Sequence, residues 1–389
     1  MPRRTLLLAV AASLALSGCS LKSDDGSKIS QGVKSDSDEA VEQLGFPVAA
    51  TRDTTRVSGS DPVSDAAGVA SALYPASDPE TRPGAVALVD KESWQSAVAG
   101  AVLAGSPLNA PLLLTDGDSV PAATEATLGQ LRPRGEALSK GAQVILVGDD
   151  VPVPDGFKSG RVHGKDPYAI AAAVDSFHTA IVGRPAATVL VASAEQPGYS
   201  MPAAAWAARS GQPVLFVGRN VVPAPTKKAI EAHENPQILL IGPPSVISAR
   251  VESELADLGD VTRIQSRNPG PVALAAEFAR SKQLWGADHP GRNFSLANIR
   301  RPADAAAAAG LGSNGVFAPL LLTDSATVMP PALEGYFLDV QPGYENDDPS
   351  EAVYNRVWIL GNKDAVSQTL QTRMDRLVQL VPVDRPPKQ

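Results

Sequence analysis

Short, wholly apolar runs alternate with longer stretches of small residues over most of the chain. Val86–Val89, Val189–Ala192 and Phe294–Ala297 are runs of this kind, and so are the segments behind Pro111, Pro213 and Pro319. A third set ends in glycine: Val144–Gly148, Ile238–Gly242 and Val357–Gly361. Runs this short, with no polar face, read as strands buried on both sides of a sheet. Between them lie Ala-rich stretches of helical character, at Asp65–Leu73, Tyr168–Phe177 and Val272–Lys282. Proline follows Val120 and Val222 and, one residue later, Val328-Met329. It stands there near a first helical turn, where its missing N–H costs nothing. The alternation predicts an α/β fold with parallel strands covered by helices.

The pattern also repeats. Ala-Pro-Leu-Leu-Leu-Thr-Asp occurs at Ala110–Asp116 and again at Ala318–Asp324, and Gln212-Pro213-Val214-Leu215-Phe216-Val217 is a degenerate middle copy. Each copy opens with an arginine and a β-branched residue, in Arg56-Val57-Ser58-Gly59, Arg161-Val162-His163-Gly164 and Arg263-Ile264-Gln265-Ser266. The period is about a hundred residues throughout. Three tandem modules of about three strands each are therefore expected, at residues 51–159, 160–261 and 262–384, with a tail at 385–389. Similar surfaces repeated in one chain can close a ring, so the arrangement is expected to be pseudo-threefold.

The N-terminal residues read differently. Arg3 and Arg4 precede the apolar run Leu6–Leu16, which falls well short of the roughly 18 residues of a membrane-spanning helix. Residues 1–18 therefore read as a lipoprotein signal peptide. Leu16-Ser17-Gly18-Cys19 resembles a bacterial lipobox, which implies cleavage before Cys19 and acylation of its thiol, palmitate included. Cys19 is the one cysteine, so no disulfide is available and the fold rests on its apolar cores. Residues 19–50, rich in Ser, Asp, Lys and Gly, read as a flexible tether. These features place the protein on the extracytoplasmic face of a cell membrane, held by lipid. The formal net charge is −8, and loss of the two signal-peptide arginines makes it more negative, which argues against a nucleic-acid partner.

The opening arginine motif, the Ala-rich helix, Ala-Pro-Leu-Leu-Leu-Thr and the closing hydrophobic-Val-Gly together resemble the cell wall-binding repeat 2 module, over about Thr51 to Val383. The resemblance implies three Toprim-like, Rossmann-like α/β modules with small parallel sheets, and non-covalent attachment to anionic wall polymer. Two departures stand out. Asp61-Pro62, Asp166-Pro167 and Asn268-Pro269 put proline where the family pattern has a second arginine. The Asp-Ala helix start of the pattern survives as Asp304-Ala305, reads Ser96-Ala97 in unit one, and is blurred around Met201-Pro202. Each lost cation removes a charge-assisted contact to phosphate or carboxylate.

Candidate chemistry is sparse. Gly310-Leu311-Gly312-Ser313-Asn314-Gly315 has dinucleotide-loop spacing but follows a helix and precedes a strand, the reverse of the required order. Gly198-Tyr199-Ser200-Met201-Pro202 lacks the final glycine of a nucleophile elbow. His163, His178, His233 and His289 show no metal-ligand spacing, and Asp149-Asp150 and Asn346-Asp347-Asp348 lack the alternation of a calcium loop. No catalytic residue, metal site or cofactor is assigned. The candidate ligands for an anionic polymer are Arg56, Arg161 and Arg263, one per unit, with Arg267, Arg300 and Arg301 adding positive charge in unit three. The competing role for the three opening arginines is to pair with acidic residues and hold the modules together.

The expected function is a non-enzymatic envelope lipoprotein that binds or organises wall polymer or glycan, with an envelope protein as a possible partner. The alternatives are a two-lobed solute-binding lipoprotein of a transporter, and an adaptor for a wall-modifying enzyme that uses Gln341–Glu351 as its contact loop.

Overall fold

A computed structural model describes residues 47–57, 59–344 and 352–382. The signal peptide, Cys19, nearly all of the tether, most of the Gln341–Glu351 insert and the tail lie outside the described residues.

Unit one contains β1 (Pro47–Ala50), β2 (Thr54–Val57), β3 (Val86–Asp90), β4 (Leu112–Thr115) and β5 (Val144–Val147). Unit two contains β6 (Ser159–Val162), β7 (Thr188–Ser193), β8 (Val214–Val217) and β9 (Gln237–Ile241). Unit three contains β10 (Asp260–Ile264), β11 (Asn293–Asn298), β12 (Leu320–Thr323), β13 (Gly343–Tyr344), β14 (Arg356–Leu360) and β15 (Val381–Pro382). Helices fill the intervals where the small-residue stretches predict them. Those that follow the opening motifs are Pro62–Leu73, Pro167–Val182 and Pro271–Arg280. Two of the prolines that depart from the family pattern, Pro62 and Pro167, have a local use here. Asp61 accepts from Ser64 N–H, and Asp166 from Tyr168 and Ala169 N–H, so each aspartate caps a helix whose first residue is the following proline.

The strands form three main sheets of one design, ordered β4-β3-β5-β6, β8-β7-β9-β10 and β12-β11-β14-β2, with parallel pairing throughout. Each sheet has four parallel strands where the sequence predicts about three, because the opening arginine motif is itself a strand. That strand pairs into the sheet of the preceding unit: β6 beside β5, β10 beside β9. The first opening strand closes the circle, since β2 runs parallel to β14 with Val57 opposite Leu360. β1 then folds back antiparallel on β2 as a fifth strand. The fourth strand covers an edge that a three-stranded sheet would leave open.

β4, β8 and β12 are buried along their whole length. The small-residue helices Trp94–Gly100, Pro202–Ser210 and Ala305–Gly312 pack on one another where the three units meet. Their approach is close enough to require the absence of a side chain. A Cβ on Gly105 would lie 2.2 Å from the Ala208 carbonyl oxygen, and one on Gly312 2.2 Å from that of Ala205. Ser313 Oγ donates to the Ala104 carbonyl across the same contact at 2.9 Å. The low aromatic content and the Ala-Gly richness of the chain therefore serve helix-on-helix contact.

Candidate functional site

The three opening arginines share one geometry. Each sits on the fourth strand of a sheet and donates a guanidinium N–H to the carbonyl of the glycine that ends the adjacent strand. Arg56 reaches Gly361 at 2.8 Å, Arg161 reaches Gly148 at 2.6 Å, and Arg263 reaches Gly242 at 2.7 Å. These glycines have φ of 97°, 110° and 113°, a left-handed turn that aims the carbonyl at the arginine. The remaining donors differ. Arg56 is fully buried and also bonds Asn362 O and, through two donors, Gln371 Oε1. Burial lowers its pKa to about 10, against the opposing pull of Asp65. Arg161 is half-buried and adds only Asp149 O. Arg263 holds Glu252 Oε2 with a two-pronged contact at 2.8 and 3.1 Å. The forks of Arg56 and Arg263 are thus largely engaged within the protein, while Arg161 commits only Nη1.

Arg301 occupies the junction of units three and one. It forms an ion pair with Asp65 on the helix Pro62–Leu73, and its Nε lies 2.9 Å from Asp304 Oδ2. Both carboxyl groups are fully buried. Asp65 also accepts the Gly59 N–H at 2.7 Å. Burial raises the Asp65 pKa well above the usual carboxylate range, and the neighbouring Asp304 adds to this while Arg301 opposes it. Burial likewise raises Asp304 against the pull of Arg301. The sequence showed both aspartates but nothing to join them.

Arg267 and Arg300 are exposed, and neither side chain has a hydrogen bond or ion pair among the described residues. Arg267 lies between two clefts, one at the junction of units two and three and one within unit three. One, of about 240 Å³, is lined by Tyr199, Pro243 and Ser245 of unit two and by Ser266, Arg267 and Asn268 of unit three. The other, of about 550 Å³, shares Ser266–Asn268 and extends to Glu277, Arg280 and Asp339. Arg280 is held by Asp339 at 3.1 Å and lies over the Tyr336 ring, so its charge is largely matched. Arg267 brings an unpaired cation to both clefts.

The four histidines are dispersed. His163 pairs with Asp149 on the surface, and His289 with Asp288. His233 is buried, with Nδ1 facing Ala186 O at 3.0 Å and Nε2 facing Asp175 Oδ2 at 2.8 Å. Two acceptors call for two N–H groups. Burial alone would lower its pKa, but the Asp175 contact raises it overall. His178 is also buried and neutral in tendency, its pKa lowered by desolvation. Among the described residues no group of three or more His, Cys, Asp or Glu is placed to hold a metal ion. None of the described helices is long and apolar enough to cross a membrane.

The repeated four-stranded units agree with the tandem α/β modules that the sequence predicts. Residues 161–252, within the middle unit, match the family described as Cell wall binding domain 2 (CWB2). Two solved structures from Clostridium difficile share the fold. Cwp6 is 14% identical with a TM-score of 0.64, covering 84% of this chain and 48% of that one. Cwp8 is 20% identical with a TM-score of 0.63, covering 84% of this chain and 52% of that one. The chain thus spans about half the length of either. No curated protein sequence matches it.

Proposed function

We propose that this is a non-enzymatic protein of the cell envelope that holds an anionic wall polymer by non-covalent contacts at the junction of units two and three, with Cys19 as its lipid anchor to the extracytoplasmic face of the membrane. The observation that carries the reading is Arg267, exposed and unmatched between two clefts that share Ser266, Arg267 and Asn268. A planar donor fork beside hydroxyl and amide side chains suits a phosphate or carboxylate on a hydroxyl-rich chain. Arg300 extends the positive charge of unit three. Arg56, Arg263 and Arg301 serve the architecture instead, since most of their donors are taken, whereas Arg161 commits only Nη1.

The non-enzymatic reading has support in a carboxyl pair that folding creates. Asp65 and Asp304 are sealed beneath Arg301 and offer a substrate no approach. A solute-binding protein would show two lobes about a hinge, whereas three like sheets close a ring. To test the proposal, the chain from residue 31 onward is incubated with purified walls at low salt. Retention that weakens with rising ionic strength and falls in Arg267→Ala supports it. Equal retention of the variant, or none by either protein, removes it.

A further inference from the structure

The three fourth strands, β2, β6 and β10, stand in equivalent places, yet their outer edges differ. β2 carries β1 on its outer side, antiparallel, with Ala49 opposite Arg56 and Ala50 opposite Thr55. β6 and β10 end their sheets and have a hydrogen-bonded neighbour on one side only. The chain itself therefore shows what this kind of edge accepts: the short extended segment Pro47-Val48-Ala49-Ala50, which carries no charge.

The free groups on β10 follow from its ladder. Asp260 N–H donates to Pro236 O, and Gly242 N–H donates to Ile264 O. In a parallel pair, alternate residues face the partner, so Asp260, Thr262 and Ile264 bond inward to β9. Val261 and Arg263 turn their N–H and C=O groups outward. The same rule applied to Val357 N–H on Asp53 O and Gly361 N–H on Val57 O leaves Thr54 and Arg56 outward on β2, on the side that β1 covers. β10 thus presents the backbone groups that β2 uses. The arginine is no obstacle, because Arg263, like Arg56, spends its guanidinium on the glycine carbonyl of the adjacent strand and on a side chain beyond it. Val261, Thr262 and Arg263 are half-buried rather than covered.

We propose that the outer edge of β10 is a docking site for an extended, uncharged peptide segment of a partner protein, which adds to the sheet as an antiparallel fifth strand in the manner of β1. Main-chain hydrogen bonds to Val261 and Arg263 supply the affinity, and small or β-branched side chains pack over the strand. Gln265, Ser266 and Arg267 continue from β10 into the larger cleft, so a protein docked here sits next to that cleft. The inference does not depend on polymer binding.

The probe is a synthetic peptide with the sequence of residues 44–51, Leu-Gly-Phe-Pro-Val-Ala-Ala-Thr, blocked at both ends and added to the full chain. Hydrogen exchange is followed at single amides. The expected result is slowed exchange at Val261 and Arg263. In Val261→Pro the outward N–H is lost while the inward ladder is kept, a placement that edge strands tolerate. That variant is expected to keep its circular dichroism and to lose at least tenfold in peptide affinity, whereas Val261→Thr keeps it. The exchange measurement on the unaltered chain stands whether or not Val261→Pro folds. Unchanged exchange at Val261 and Arg263, protection confined to other strands, or undiminished binding by folded Val261→Pro overturns the proposal. So does a dimer formed without peptide and abolished by that substitution, which would assign the edge to a second copy of the chain.

Discussion

At the junction of units three and one, Arg301 reaches from one helix start to Asp65 on the opening helix of the next unit, with Asp304 beneath it. At the junction of units two and three the corresponding helix start, Pro197–Ser200, offers Tyr199 and no charge. Val272 stands where Asp65 would be, counted from the Asp or Asn that precedes each opening proline. One junction is therefore filled by an ion cluster of its own, and the other keeps a cleft with an unmatched cation at its mouth. The same pair of elements can lock or can leave a site, depending on three or four side chains. The closing junction is also the one that β2 completes, so the lock lies where the ring has no covalent continuity to rely on.

This contrast can be broken most sharply by Arg301→Ala, which leaves two buried carboxyl groups without their cation. Loss of one partner from a buried pair costs about 3–5 kcal/mol, read as a lower denaturant midpoint with an unchanged slope. Arg56→Ala comes next, with several buried hydrogen bonds to a charged group removed, at about 1.5–3 kcal/mol. Arg161→Ala, at a half-buried site with fewer partners, is expected to cost less than Arg56→Ala in the same assay.

A pH series sharpens the comparison further. Asp65 has its folded pKa raised, so its contribution to stability is fully present below the ordinary carboxylate value near 4 and declines as pH rises toward the folded value. Asp65→Asn mimics the protonated acid and should flatten that part of the stability profile. An unaltered profile in the variant would assign the pH dependence to other groups. His233, also raised, loses its contribution as pH rises through its own folded value, and it remains in the variant as an internal reference. Arg267→Ala is the smallest perturbation of stability, within about 0.5 kcal/mol for an exposed, unpaired side chain. Its expected effect falls on wall retention alone.

Much of the architecture was legible beforehand, for a physical reason. Apolar runs bounded by proline and glycine, and alanine-rich stretches between them, encode strands and helices through contacts within a few residues. Repetition of the pattern then exposes the triplication. The dinucleotide-like spacing has a packing origin, since Gly310 and Gly312 close the helix Ala305–Gly312, where a side chain on Gly312 would strike the Ala205 carbonyl. The opening Arg-Val motifs are strands, which their residues do not announce. Each motif has a single apolar side chain, Val57, Val162 or Ile264, and nothing local distinguishes a guanidinium that will meet a ligand from one that will meet a glycine carbonyl.

The sequence by itself determined the repeat, the order of strands and helices within each unit, and the small-residue composition that lets three helices converge. Tertiary structure alone decided that each opening strand belongs to the sheet of the unit before it, that Arg56 is spent on Gly361 and Gln371, that Asp65 and Asp304 share Arg301, and that Arg267 is left over. Each of those pairings joins residues from separate strands or units, Arg56 and Gln371 from opposite ends of the described chain. Their partners are fixed by how the ring closes, and ring closure depends on the geometry of all three units together.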